Sequence, residues 1–135
     1  MPRESGIPGS PRDWLRRARS DLALAKVALP AGVLYEDLCF HAQQAAEKAI
    51  KSVYRSAGRE FRYTHDLDEL LDGLQRNGVP IPEAVQEAAT LTEFAWQARY
   101  PGPAEPVSDA DYQRAVTVAE RVVECAEIVL KEGPG

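Results

Sequence analysis

The chain has 135 residues, 44% of them hydrophobic, which suffices for one domain closed around a single core. Its net charge of -5 excludes a bulk attraction to nucleic acid or to an anionic membrane, so binding of that kind has to be local. Its start has no signal-peptide apolar stretch, and no later run reaches the roughly 18 apolar residues that a membrane-spanning helix needs. Cys39 and Cys125 lie in helical patterns without metal-ligand spacing and read as reduced thiols, so a soluble cytoplasmic protein is expected.

Residues 1–11, rich in proline, glycine and serine, read as a flexible arm ahead of a helical bundle over 12–132, with 133–135 as a frayed end. From Arg12 or Asp13 to Leu29, the positions Trp14, Ala18, Leu22, Ala25 and Leu29 keep the spacing of a first amphipathic helix, which Pro30 and Gly32 end. Arg12, Arg16 and Arg19 fall off that stripe and read as a solvated face.

A second helix is predicted from about Val33 to Ala57, with Gly58 in the left-handed C-terminal position. One side of it is an apolar seam whose middle is alanine: Ala42, Ala45, Ala46 and Ala49, continued by Ile50 and Val53. The other side gathers Phe40, Gln44, Glu47, Lys48, Lys51 and Arg55, with His41 at its border. Thr64 or His65 is expected to cap a short third helix, with Asp66, Asp68 and Glu69 complementing its dipole and Asn77 and Gly78 closing it.

Pro82 suits the first turn of a fourth helix, with Val85, Ala88, Ala89, Thr92, Ala95 and Trp96 at helical spacing up to about Ala98. The segment RYPGPAEP then forces a loop. Ser108 and Asp111 form an approximate capping box for a last helix carrying Tyr112, Ala115, Val116, Ala119, Val122, Val123, Ala126 and Leu130. With no period-two strand and no internal repeat, the fold class is all-α: an antiparallel up-down bundle of four long helices and one short one.

The chain lacks the Glu-x-x-His pairs of di-metal bundles, HExxH, phosphate-binding glycine loops and nucleophile elbows, so neither a metal nor a cofactor is expected. The informative feature is the polar side of the second helix. His41, Gln44, Lys48, Lys51 and Arg55 continue toward Arg59, Arg62 and His65, a stripe suited to phosphates or to the acidic face of another protein. A solvated face with Glu47 paired to Lys51 one turn on accounts for the same residues. Phe40 among them favours a partner surface, and a two-fold dimer burying Phe40 and Glu47 is the economical choice.

FHAQQAAEKAIK at 40–51, THDL at 64–67 and ARYP at 98–101 resemble the three hallmark segments of the HEPN domain (higher eukaryotes and prokaryotes nucleotide-binding), over nearly the whole chain. It is similar to the single-domain prokaryotic members. The resemblance implies a homodimeric bundle of four to five helices that binds a nucleotide or pairs with a minimal nucleotidyltransferase in a toxin-antitoxin-like system. In many members it implies metal-independent RNA cleavage instead.

The family's ribonuclease signature, an arginine with a histidine a few residues on near the last core helix, is not met here. Arg99 precedes that helix, but Ala104, Glu105 and Pro106 stand where the histidine belongs, and none of them moves a proton near neutrality. Arg59 and His65 match the spacing, with five residues between them. In a ribonuclease they would be the catalytic pair, His65 as base on the ribose 2′-hydroxyl and Arg59 or Arg62 stabilising the phosphorane-like charge. Arg99 and Tyr100, placed by Pro101, are candidates for lining a pocket or anchoring the loop.

Overall fold

Ala42, Ala45, Ala46 and Ala49 are each 0% exposed, so the longest stretch of small side chains lies at the centre of the protein. The computed structural model describes residues 8–27, 31–94 and 106–132. In chain order these give α1 (Pro11–Ala25), α2 (Tyr35–Ser56), α3 (Leu67–Arg76), a single α-turn α4 (Glu83–Gln86) running into a 3₁₀ helix (Glu87–Leu91), and α5 (Asp109–Glu132). The fold is all-α, and no strand occurs among the described residues.

Local chemistry sets the helix ends. Ser10 caps α1 by accepting from the Asp13 N–H at 3.1 Å, with Pro11 in the first turn, where its missing N–H costs nothing. At the end of α2, Gly58 takes φ +69, and the Gly58 and Arg59 N–H groups return to the Arg55 and Tyr54 carbonyls at 3.1 and 2.9 Å. This Schellman closure turns the chain sharply into the 59–66 loop. Gly78 repeats it after α3, with φ +83. The capping box of α5 forms as its sequence implies: Ser108 Oγ accepts from the Asp111 N–H at 3.1 Å, and Asp111 accepts from the Ser108 N–H at 3.3 Å.

Three expectations are corrected. Asp66, not Thr64 or His65, caps α3, accepting from the N–H groups of Asp68 and Glu69 at 3.0 and 3.3 Å. Thr64 instead holds the Asp66 N–H at 3.0 Å, which leaves the His65 ring for other work. The expected fourth helix is only one α-turn before it tightens to 3₁₀. Its buried positions, Val85, Ala88, Leu91 and Phe94, fall every three residues, which matches three residues per 3₁₀ turn rather than 3.6. The first helix ends at Ala25, with Lys26 as its C-cap, short of the expected Leu29, which like the expected end of the fourth helix lies outside the described residues.

Cross-helix contacts give the directions. Trp14 lies against Lys51 and Asp21 against His41 and Lys48, so α1 and α2 are antiparallel. Arg19 meets Glu127 while the Ala25 carbonyl accepts from Tyr112, so α1 and α5 are antiparallel as well. Tyr35 stacks on Tyr112 near one end, and Ile50 and Val53 pack beside Val122 and Cys125 further along, so α2 and α5 run parallel. The core between them takes Leu15, Ala18, the α2 alanines, Val118, Val122 and Ala126, closed at one side by Leu67, Leu70 and Leu74 of α3.

Tyr54 ties α3 to α2. Its hydroxyl donates to the Leu70 carbonyl at 2.5 Å, and it passes so near Gly73 that a Cβ there would collide with the phenol oxygen.

Candidate functional site

The polar side of α2 is largely covered, with Glu47 and Lys51 buried and His41, Lys48 and Arg55 partly exposed at its edges. α1 and the 59–66 loop fold over it, and they turn the predicted stripe into two hydrogen-bonded clusters at the joint between α1 and α2.

The first cluster centres on Asp21, whose residue is 8% exposed. One oxygen lies 3.0 Å from His41 Nδ1, and the other accepts from Lys48 Nζ at 2.6 Å. Phe40 sits edge-on to the His41 ring, 5.6 Å between centroids. Sequence reasoning passed over Asp21, although a signal existed: it stands three residues after Ala18 and four before Ala25, on the apolar stripe of α1, where a carboxylate has to find a partner inside.

The second cluster is deeper. Glu47 is 3% exposed and Lys51 6%, and Lys51 Nζ donates to Glu47 Oε2 at 2.9 Å. Such a pair persists only when its remaining hydrogen-bonding capacity is met. Glu47 Oε1 accepts from Gln43 Nε2 at 3.0 Å and lies 2.8 Å from His65 Nδ1. Gln43, wholly buried, also reaches the His65 carbonyl at 3.3 Å, and Gln44 donates to the Gln43 side-chain oxygen at 2.7 Å. Gln43 was also missed, since it borders the alanine seam and carries no charge to draw notice.

Aromatic rings roof this pair. Trp14 and Phe61 meet edge to face at 5.6 Å, and Lys51 Nζ lies 5.5 and 5.1 Å from their centroids. Arg55 packs its guanidinium 4.9 Å from the Phe61 ring and pairs with Glu60 at 3.4 Å. Cations against ring faces are favourable contacts, more so for buried Lys51 than for Arg55, whose side chain keeps about a third of its surface in solvent.

A carboxylate that accepts from Gln43 and Lys51 is an acceptor toward His65 too, so the histidine carries its hydrogen on Nδ1 and presents Nε2 on the side away from Glu47. The His65 side chain is 41% exposed. An imidazole oriented in this way offers a fixed acceptor, or a proton-transfer group, at the surface.

Of the other predicted site residues, Arg62 is 84% exposed in its side chain and pairs with Glu69 at 2.8 Å. Arg59 is exposed on the same loop. The structure thus brings His41 to Lys48, and Glu47 and Lys51 to His65, while Arg59 and Arg62 stay at the rim. Arg99 and Tyr100 lie outside the described residues. Among the described residues no group of three or more His, Cys, Asp or Glu is placed to hold a metal ion, and no helix is long and apolar enough to cross a membrane.

The HEPN domain family model matches residues 11–129. A curated relative from Methanocaldococcus jannaschii, named "Putative toxin MJ1304", is 28% identical over 90% of this chain and 89% of its own. Among solved structures, TT1696 from Thermus thermophilus superposes with a TM-score of 0.76 at 32% identity, over 89% of this chain and 98% of that one. ST0689, titled an archaeal HEPN homologue, gives 0.71 at 27% identity over 90% and 98%. The match spans α1 to α5 and both polar clusters, and the chain belongs to the HEPN domain family.

Proposed function

We propose that this HEPN protein is a binding module of the cytoplasm: a homodimer that takes a nucleotide and pairs with a minimal nucleotidyltransferase, as one half of a toxin-antitoxin-like system. The observation that carries the reading is the pair of locked polar clusters, in which Asp21 fixes His41 and Lys48 while Glu47 fixes Lys51 and His65. Side chains already held in one geometry lose little entropy when they bind, which suits recognition. The relative with a toxin name lends support to a paired system. Gln44, Arg55 and Arg62 extend the surface offered to the ligand or partner, and Arg99 and Tyr100 are assigned to it from the sequence. Half-buried Phe40, beside His41, belongs to the dimer seam; Glu47, assigned there from the sequence, is committed with buried Lys51 inside its own protomer and reaches the surface only through His65.

Light scattering on the purified protein tests the dimer: wild type runs at twice the chain mass and Phe40→Glu at the monomer mass. Calorimetry with nucleoside mono- and triphosphates tests the ligand. A monomeric wild type without nucleotide affinity would sink the reading.

The Glu47–His65 contact favours a second reading, a metal-independent ribonuclease in which His65 Nε2 takes the 2′-hydroxyl proton and Arg59 steadies the phosphate. Cleavage of a mixed RNA pool in EDTA, lost in both His65→Ala and Arg59→Ala, would establish it. Equal products from all three proteins would remove it.

A further inference from the structure

Tyr63 is 95% exposed, more than any other large hydrophobic residue among those described. Its neighbours in the loop are anchored on both sides. Phe61 packs against Trp14 at 5.6 Å and Tyr54 at 6.0 Å. His65 is held through Nδ1 by Glu47 and through its carbonyl by Gln43, and the Leu67 N–H is held by Thr92 at 3.0 Å. Tyr63 therefore stands out from a loop fixed at both shoulders. The same loop packs one aromatic ring, half-buried, against the core and leaves the other in water, edge-on to the first at 6.2 Å.

The exposed residues beside it include two arginines and an oriented histidine, together with the carboxylates of Glu60, Asp66 and Asp68. Arg59 and Arg62 are exposed, and His65 presents its ring two residues on. Of the nearby acids, Glu60 pairs with Arg55, Glu69 with Arg62, and Asp66 accepts from the N–H groups that it caps, while Asp68 is exposed on the first turn of α3. An outward aromatic face among cations and an oriented hydrogen-bonding ring is the equipment that an unpaired base with its phosphate requires. The ring supplies sequence-tolerant stacking, and the cations supply the phosphate contact.

We infer that Tyr63 is the stacking platform of a site for an unpaired nucleobase bearing a phosphate, with Arg59 and Arg62 on the phosphate and His65 on the base or sugar edge. This rests on the nucleotide-binding part of the proposed function and gives that ligand a place. A free nucleotide and a single RNA strand share the chemistry, so the test uses both: AMP followed by calorimetry, and a fluorescein-labelled 12-residue oligouridine RNA followed by anisotropy. Wild type, Tyr63→Ala, Tyr63→Trp and Arg59→Ala are compared in 50 and 200 mM salt.

The expected result is a roughly 5- to 150-fold weaker Kd for Tyr63→Ala, near-wild-type affinity for Tyr63→Trp, and a shallower salt dependence for Arg59→Ala. The melting temperature of Tyr63→Ala stays at that of wild type, because so exposed a ring holds no core together. Loss confined to AMP identifies a nucleotide site, and loss confined to the oligomer identifies a strand site. Wild-type binding that Tyr63→Ala leaves unchanged overturns the platform while the nucleotide-binding reading stands. Wild type that binds neither probe overturns both.

Discussion

The Glu47 carboxylate and the His65 imidazole meet at 2.8 Å across the joint between α2 and the loop that follows it, the one nearly wholly buried and the other open to solvent. That contact belongs to a buried unit, since Lys51 has Glu47 as its carboxylate partner beneath the rings of Trp14 and Phe61. Replacing Glu47 by Ala strands a desolvated ammonium. The expected loss in urea unfolding is about 3–5 kcal/mol, and the double replacement Glu47→Leu, Lys51→Met should recover most of it. A single variant within about 0.5 kcal/mol of wild type would show that water reaches Lys51 after all.

Gly73 and Tyr54 are coupled by contact. Gly73→Ala places a methyl group on the Tyr54 hydroxyl and should destabilise by about 1–3 kcal/mol. In a Tyr54→Phe background the obstructing oxygen is gone, and alanine's better helix propensity, about 0.5–1 kcal/mol, offsets part of the remaining strain. A double-mutant cycle by chemical denaturation should therefore be non-additive, and strict additivity would mean that α3 moves away freely.

Asp13 sets a limit on the acid side. Its hydrogen bond from Arg16 foremost, then the Gly9 N–H and Arg17, hold its carboxyl down from 3.8 to about 2, against an opposing push from burial. A carboxyl depressed in the folded state contributes stability that is complete above its unfolded value and fades as pH falls through the folded one. Melting temperatures taken from pH 5 to 2 should fall less steeply below pH 4 for Asp13→Asn than for wild type. Parallel curves would deny Asp13 that role.

The thiols should be inert. Burial foremost, with Glu36 and Asp111 adding, pushes the Cys39 thiol up to about 12, and burial raises Cys125 as well. Iodoacetamide at pH 8 should alkylate Cys39 of the folded protein more than about 100-fold slower than the urea-denatured chain, read by mass spectrometry. Rapid labelling without denaturant would show that α2 opens readily.

The helices were legible because their signals are local. Gly58, Gly78, Ser108 and Asp111 each do in the structure what their position along the chain implies, and the alanine seam is fully buried. Two features were not legible. The tightening of Glu87–Leu91 to 3₁₀ goes with burial of Val85, Ala88 and Leu91 every three residues, whereas the apolar positions along the chain also fit 3.6-residue spacing. The burial of Glu47 and Lys51 was hidden for the opposite reason: periodicity assigns charged residues to the outside, and only Trp14 from α1 and Phe61 from the loop, neighbours in space and distant along the chain, bring them in. The spacing of Glu47 and Lys51 did announce their pairing; what it did not announce was the absence of water around it.

The alanines of α2 act as a gauge block. Because Ala42, Ala45, Ala46 and Ala49 project a single methyl group each, they let neighbouring helices approach α2 closely along its buried side. On the face of α2 that meets α1, Lys48 reaches Asp21 at 2.6 Å. A valine in this fully buried seam would have to displace a neighbouring element to find room. The spacing of the helices around α2 is thus set from the interior, by residues that have no chemistry of their own.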